Sequence, residues 1–95
     1  MTEEIIKYYP NGAIKEKKHL LEGRKHGEYL SYFSNGQIMA KIHYNRGKKN
    51  GPAVSYWSNG HIREKATFKN GKLEGPYVSY HENGHLWEEE CYKDG

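Results

Sequence analysis

Apolar and polar residues alternate along this chain in short runs that glycine interrupts at fixed intervals. After Asn59-Gly60, the residues Ile62, Glu64, Ala66 and Phe68 fall on one side of an extended chain, and Arg63, Lys65, Thr67 and Lys69 on the other. That period of two is the signature of a β-strand. The complementary runs alternate less cleanly: Tyr77, Ser79 and His81 share one side, and Val78 with Tyr80 the other. Both faces of the resulting sheet therefore carry apolar groups. The pattern predicts strands over 3–9, 13–21, 26–33, 37–45, 50–57, 61–69, 74–81 and 85–93, and no α-helix.

The breaks between runs repeat. Asn-Gly stands at 11–12, 35–36, 59–60 and 83–84, always 24 residues apart. Two more glycine columns, at 23, 47, 71 and 95 and at 27, 51 and 75, account for the rest of the eleven glycines. Asn-Gly between apolar runs is a strong hairpin signal. A second turn is expected near Glu22-Gly23, Arg46-Gly47, Asn70-Gly71 and Asp94-Gly95, which gives two strands per period. The chain is thus expected to be all-β, an elongated single-layer antiparallel meander of about eight strands built from tandem 24-residue hairpins. It divides into a half repeat 3–10, repeats 11–34, 35–58 and 59–82, and a partial repeat 83–95.

Two local features sharpen this expectation. Pro52 and Pro76 directly follow Gly51 and Gly75, and a residue without an N–H is tolerated in a sheet only at a strand start, an edge or a bulge. A bulge or strand break is predicted at each. Ile62 shares a face with Tyr56 or with Trp57 according to the loop, because a two-residue loop and a three-residue loop with a bulge differ by one in register.

The run Gly71-Lys72-Leu73-Glu74-Gly75-Pro76-Tyr77-Val78-Ser79-Tyr80, followed by Asn83-Gly84, resembles the MORN repeat, and within it the variant repeat of bacterial YwqK-type proteins. The resemblance runs from about Ile5 to Gly95 and is specific because the motif recurs in phase. Departures are local: Arg24 for the lysine after glycine, Ala53 where Tyr29 and Tyr77 stand, and His81 for the second aromatic of its pair. The resemblance implies a twisted single-layer sheet that binds rather than catalyses. YwqK-type members are commonly assigned as antitoxins of toxin–antitoxin pairs; other MORN arrays are associated with membrane attachment or scaffolding.

Composition bounds the partner classes. A chain of 95 residues allows one domain, and with 35% apolar residues, nine tyrosines and two phenylalanines, burial must be aromatic and partial. A net charge of +3 with both signs intermixed argues against the concentrated basic patch of a nucleic-acid binder. The single Cys91 fits a reducing cytoplasm. An acidic start at Thr2-Glu3-Glu4 without a following apolar stretch lacks the parts of a signal peptide. A cytoplasmic location is expected.

Tyr8/Tyr9, Tyr32/Phe33, Tyr56/Trp57 and Tyr80/His81 recur one period apart and are expected to stack in two ribbons of rings, one per face. The less covered ribbon is the candidate contact surface, because Tyr and Trp are enriched among binding hot spots. Trp87 shares the column of Lys15, Met39 and Arg63 and is the best single exposed anchor. With the basic column Lys17, Lys41 and Lys65, the partner-binding candidates are Tyr32, Phe33, Tyr56, Trp57, Tyr80, Trp87, Lys41 and Lys65.

The six histidines fall mostly in equivalent positions two strands, roughly 9 to 10 Å, apart, which is too far to share an ion. Neither they nor Cys91 form a convincing metal or nucleophile constellation. No cofactor, metal or catalytic residue is expected. The partner is expected to be another protein, such as a toxin; the alternatives are an anionic membrane surface read by the lysines, or self-assembly through strands left open at the ends, where residues 3–9 and 83–95 match only part of a repeat.

Overall fold

In the computed structural model, which describes residues 2–93, every Asn-Gly pair closes a hairpin in the same way. The Gly12 N–H donates to the Tyr9 carbonyl at 2.9 Å and the Tyr9 N–H donates to the Ala13 carbonyl at 2.8 Å. That is a three-residue loop whose third residue is left-handed, with φ +91° at Gly12, a position that favours glycine. Asn contributes by another route: Asn11 Oδ1 accepts from the Ala13 N–H, and Asn35, Asn59 and Asn83 repeat the bond two residues on. The side-chain amide oxygen of each Asn thus closes the turn, and the residue itself does not adopt positive φ.

The opposite ends of the hairpins close with two-residue turns in which both central residues are left-handed: Glu22 and Gly23, Arg46 and Gly47, Asn70 and Gly71. These are type I′ turns, matched to the strand twist. The fourth predicted turn of this kind, at Asp94-Gly95, lies outside the described residues.

The strands are β1 (Thr2–Tyr8), β2 (Ile14–Leu21), β3 (Arg24–Lys25), β4 (Gly27–Tyr32), β5 (Ile38–Asn45), β6 (Lys48–Tyr56), β7 (Ile62–Lys69), β8 (Lys72–Tyr80) and β9 (Leu86–Tyr92). They form one open antiparallel sheet in the order β1-β2-β4-β5-β6-β7-β8-β9, with β3 also paired to β2. The count is nine rather than eight because the strand after the first type I′ turn is split before Gly27. The same discontinuity appears at Gly51 and Gly75 as a register shift: Ile42 pairs with Ala53 and Tyr44 with Lys49, while Ala66 pairs with Tyr77 and Phe68 with Leu73. On its other side β6 pairs without interruption from Gly51 to Ser55, Gly51 with Phe68 and Pro52 with Thr67. The bulges predicted at Gly-Pro are therefore present, each on one side of its strand. Gly51 has φ +105°, which is a conformation L side chains rarely adopt.

The Asn-Gly loops also settle the register. Tyr56 pairs with Ile62 and Ser55 with Glu64, leaving Arg63 as an extra bulged residue. Ile62 consequently shares a face with Tyr56, and Glu64, Ala66 and Phe68 lie on the opposite face. The expected single alternation from Ile62 through Phe68 is thus broken by the bulge, which switches the face after its first residue.

The sheet measures 35 × 32 × 11 Å, one layer thick. Among the described residues no hydrophobic side chain is fully buried, and only Ser79, at 5% exposure, is buried at all. Stability therefore rests on hydrogen-bonded turns, cross-strand pairs and half-covered rings rather than on a core.

Candidate functional site

Strand register sorts the candidate residues onto two faces. Tyr32, Tyr56 and Tyr80 pair with Ile38, Ile62 and Leu86 on the face that carries Lys41 and Lys65, each lysine flanked by Leu30, Val54 or Val78. Phe33 and Trp57, one residue further along, lie on the opposite face, and Trp57 lines a depression there with Arg63, Glu64, Tyr77, Trp87 and Glu88. The eight candidates are thus not one surface: Tyr32, Tyr56, Tyr80, Lys41 and Lys65 form a lysine face, while Phe33, Trp57 and Trp87 belong to a groove face. Lys41 and Lys65 are exposed, the tyrosines half-buried. Lys41 lies 3.7 Å from Glu28, an exposed pair of little weight.

On the groove face, in three of the four hairpins the bulged residue covers the aromatic residue before its loop. Lys15 Nζ stands 5.8 Å from the centre of the Tyr9 ring, Arg63 lies 4.8 Å from the Trp57 ring, and Trp87 stacks on His81 at 4.7 Å with planes 13° apart. The ring tips then reach the next hairpin. Tyr9 donates its hydroxyl to the Tyr32 carbonyl at 2.6 Å, and Trp57 donates its Nε1–H to the Tyr80 carbonyl at 3.0 Å. Asn11 and Asn59 add parallel bonds to the carbonyls of Ser34 and Glu82. These rings are structural ties between repeats. Trp87 is 64% exposed and, among the described residues, donates to no such carbonyl.

The rings of each ribbon do not touch one another as expected; two strands separate equivalent positions by roughly 9 to 10 Å. The ring contacts are made elsewhere, by residues the repeat pattern contained but the candidate set omitted. Tyr29 meets Tyr44 edge-on at 6.1 Å, and Tyr77 meets Tyr92 edge-on at 6.3 Å. The signal for them was the shared column of Tyr29, Ala53 and Tyr77 and that of Leu20, Tyr44, Phe68 and Tyr92. Ala53, the departure from the pattern, removes a ring between the two pairs. A groove of about 430 Å³ opens beside it, lined by Ala53, Ala66, Phe68, Leu73, Tyr77 and Tyr92 together with Lys49, Glu64 and Glu88.

Each tyrosine pair is tied to a carboxylate. Tyr29 donates to Glu16 Oε2 at 2.8 Å, and Tyr77 donates to Glu64 Oε2 at 2.6 Å. Burial, then the bond to Glu16, pushes the Tyr29 hydroxyl up to about 12; at Tyr77 the bond to Glu64 leads and burial follows, again to about 12. The Tyr29 bond, helped by Lys18 and Lys7 against the opposing effect of burial, holds Glu16 below the ordinary carboxylate value. Glu88, in the same column, is shifted the other way. A hydrogen bond shared with Glu90, then burial and the charges of Glu90 and Glu64, raise it. The acidic end of the groove is thus crowded with like charge.

Among the described residues no group of three His, Cys, Asp or Glu side chains lies close enough to hold a metal ion. Cys91 is exposed, paired across the sheet with Pro76. Among the described residues no helix is long and apolar enough to cross a membrane.

The family described as MORN repeat variant matches the chain over residues 25–46, 49–70 and 73–94, more than half of its length. The three matches begin one period apart and each spans a hairpin closed by an Asn-Gly loop. No curated protein and no solved structure matches the chain.

Proposed function

Because the chain belongs to the MORN repeat variant family, whose repeats serve generally as protein- or membrane-binding modules, we propose that it is a non-catalytic module that binds another protein through its groove face. The observation that carries this reading is the open groove of about 430 Å³ with the 64%-exposed Trp87 near its acidic end. A single sheet without a core leaves apolar rings half-covered, and a partner that completes their burial gains about 25 cal/mol per Å² of apolar surface.

The finer assignment is antitoxin-like: a small bacterial, cytoplasmic protein that covers the active surface of a cognate toxin. What supports it is the resemblance of the Gly71–Gly84 run to YwqK-type repeats. A second reading, attachment to anionic lipid, is favoured by one observation, the row in which Lys17, Lys41 and Lys65 alternate with Ile6, Leu30, Val54 and Val78 on the opposite face.

The test is affinity capture from lysate at low and high salt, with the wild-type chain and Trp87→Ala, beside sedimentation with anionic vesicles. A stoichiometric protein retained at high salt and lost with Trp87→Ala supports the reading. Binding to vesicles alone, and only at low salt, sinks it in favour of the lipid surface.

A further inference from the structure

One side-chain constellation occurs twice in this sheet, two repeats apart. In the first, Glu16 accepts from Tyr29, which meets Tyr44 edge-on; in the second, Glu64 accepts from Tyr77, which meets Tyr92 edge-on. The hydroxyl bond uses Oε2 of the glutamate in both.

The two differ in their cations. In the first copy Lys18 Nζ lies 3.1 Å and Lys7 Nζ 3.8 Å from Glu16 Oε1, and Lys25 Nζ sits 4.6 Å from the Tyr29 ring and 5.1 Å from the Tyr44 ring. In the second, Ser55 stands in the place of Lys7, Ala66 in that of Lys18 and Leu73 in that of Lys25. Among the described residues Glu64 Oε1 meets only the Ser55 hydroxyl, at 3.5 Å. Among the described residues no ion pair reaches Glu64, Glu88 or Glu90. Where these three lysines are missing, the groove opens, lined by Ala66, Leu73, Tyr77 and Tyr92, with Lys49 also in its lining and its Nζ 5.0 Å from the Phe68 ring.

We infer that this groove receives a lysine or arginine side chain from a protein partner, seated between Glu64 and Glu88 against the Tyr77 and Tyr92 rings. The first copy shows the same carboxylate and ring pair holding ammonium groups. The loss of Lys18 and Lys25 leaves the space and the charge that those groups satisfied. Ala66 and Leu73 supply an apolar wall for the aliphatic stem of such a side chain, and Glu88 adds a second carboxylate to its head group. A guanidinium matches two carboxylates best. The inference rests on the protein-binding reading and gives its partner a chemistry: an extended segment carrying basic residues.

The test is an NMR titration of the isotope-labelled chain with the peptide acetyl-Ala-Arg-Ala-Arg-Ala-amide and with its neutral citrulline counterpart. The expected result is peptide-induced shifts at Glu64, Ala66, Leu73 and Tyr77, with the citrulline peptide binding about tenfold or more weakly, the scale of a lost charged hydrogen bond. Ala66→Lys combined with Leu73→Lys rebuilds the first copy, so it is expected to stay folded and to lose binding by about the same factor. Glu64→Gln, which keeps the volume, provides a second route to the same loss.

Equal binding of the two peptides, undiminished binding by the lysine variant, or shifts confined to the Lys41 and Lys65 face would overturn the inference. Spermidine binding more tightly than the peptide would also overturn it, by assigning the groove to free polyamines. A protein captured in a Trp87-dependent way but equally well by the lysine variant would sink the cation site and leave the broader reading standing.

Discussion

Trp57 donates its indole N–H to the main-chain carbonyl of Tyr80 at 3.0 Å, so that a side chain of one repeat is fastened to the backbone of the next. Tyr9 makes the equivalent bond to Tyr32, whereas Phe33, in the same column, has no donor to offer. In a sheet without a buried core, such ties carry stability that packing supplies in thicker folds. The aromatic ribbon on this face is therefore largely occupied with holding the array together.

Replacing Trp57 by phenylalanine keeps a ring under Arg63 but removes the donor. The expected effect is a loss of about 1 to 2 kcal/mol, read as a lower denaturant midpoint with unchanged slope. Trp87→Ala, at a site that holds no carbonyl, is expected to change stability by less than about 0.5 kcal/mol. Equal losses for the two would contradict the division between structural and exposed rings.

Arg46 occupies the first position of a type I′ turn at φ +49°, a conformation in which Asn is tolerated better than a long side chain. Asn70 already fills the equivalent place one repeat later. Arg46→Asn is expected to raise stability by about 0.5 to 1 kcal/mol in thermal or denaturant melts, with the Arg46 N–H bond to His26 Nδ1 retained by the new residue. A decrease would mean that the arginine side chain makes contacts that outweigh its strain.

Gly75 has φ +82° and open space where a Cβ would stand, so Gly75→Ala meets only backbone strain. It is expected to cost about 1 to 2 kcal/mol. At Gly84 a Cβ would lie 3.2 Å from His61 Nδ1 as well, and Gly84→Ala is expected to cost more than Gly75→Ala in the same melts.

Tyr29 and Tyr77 titrate near 12 in the folded chain, above the ordinary value of 10.0. Because the folded value is the higher one, the stability they contribute is fully present below pH 10 and is lost as pH rises through 12. Tyrosinate absorbance should show both ionising late. Glu64→Gln removes the charged acceptor of Tyr77 and should bring that transition earlier while leaving Tyr29 in place; a shift of both would break the assignment.

Glu16 and Glu88 share a column and are shifted oppositely from 4.5. The depressed Glu16 contributes stability that is present above its ordinary value and lost as pH falls through the folded one; the raised Glu88 contributes below its ordinary value and loses that contribution as pH rises through the folded one. Glu16→Gln should therefore destabilise most at neutral pH, and Glu88→Gln should become relatively stabilising there. Melts of both variants at acid and neutral pH check the two signs together.

The glycine columns, the hairpin period and the bulges at Gly51 and Gly75 were legible in the residues, because positive φ is a local requirement that few side chains meet. So was the exposure of Trp87, from its column and its place in the last strand. The alternation from Ile62 to Phe68 was misleading, since one bulged residue, Arg63, turns the first position onto the other face, and a sequence does not display which residue is left unpaired. The sorting of the candidate residues onto two faces followed from that register. The tertiary structure alone decided that Glu16 with Tyr29, and Glu64 with Tyr77, form the same constellation with and without its lysines. The partners are 13 residues apart along the chain and meet only across strands, where charge, ring and space are set by the pairing of the sheet rather than by any local run of residues.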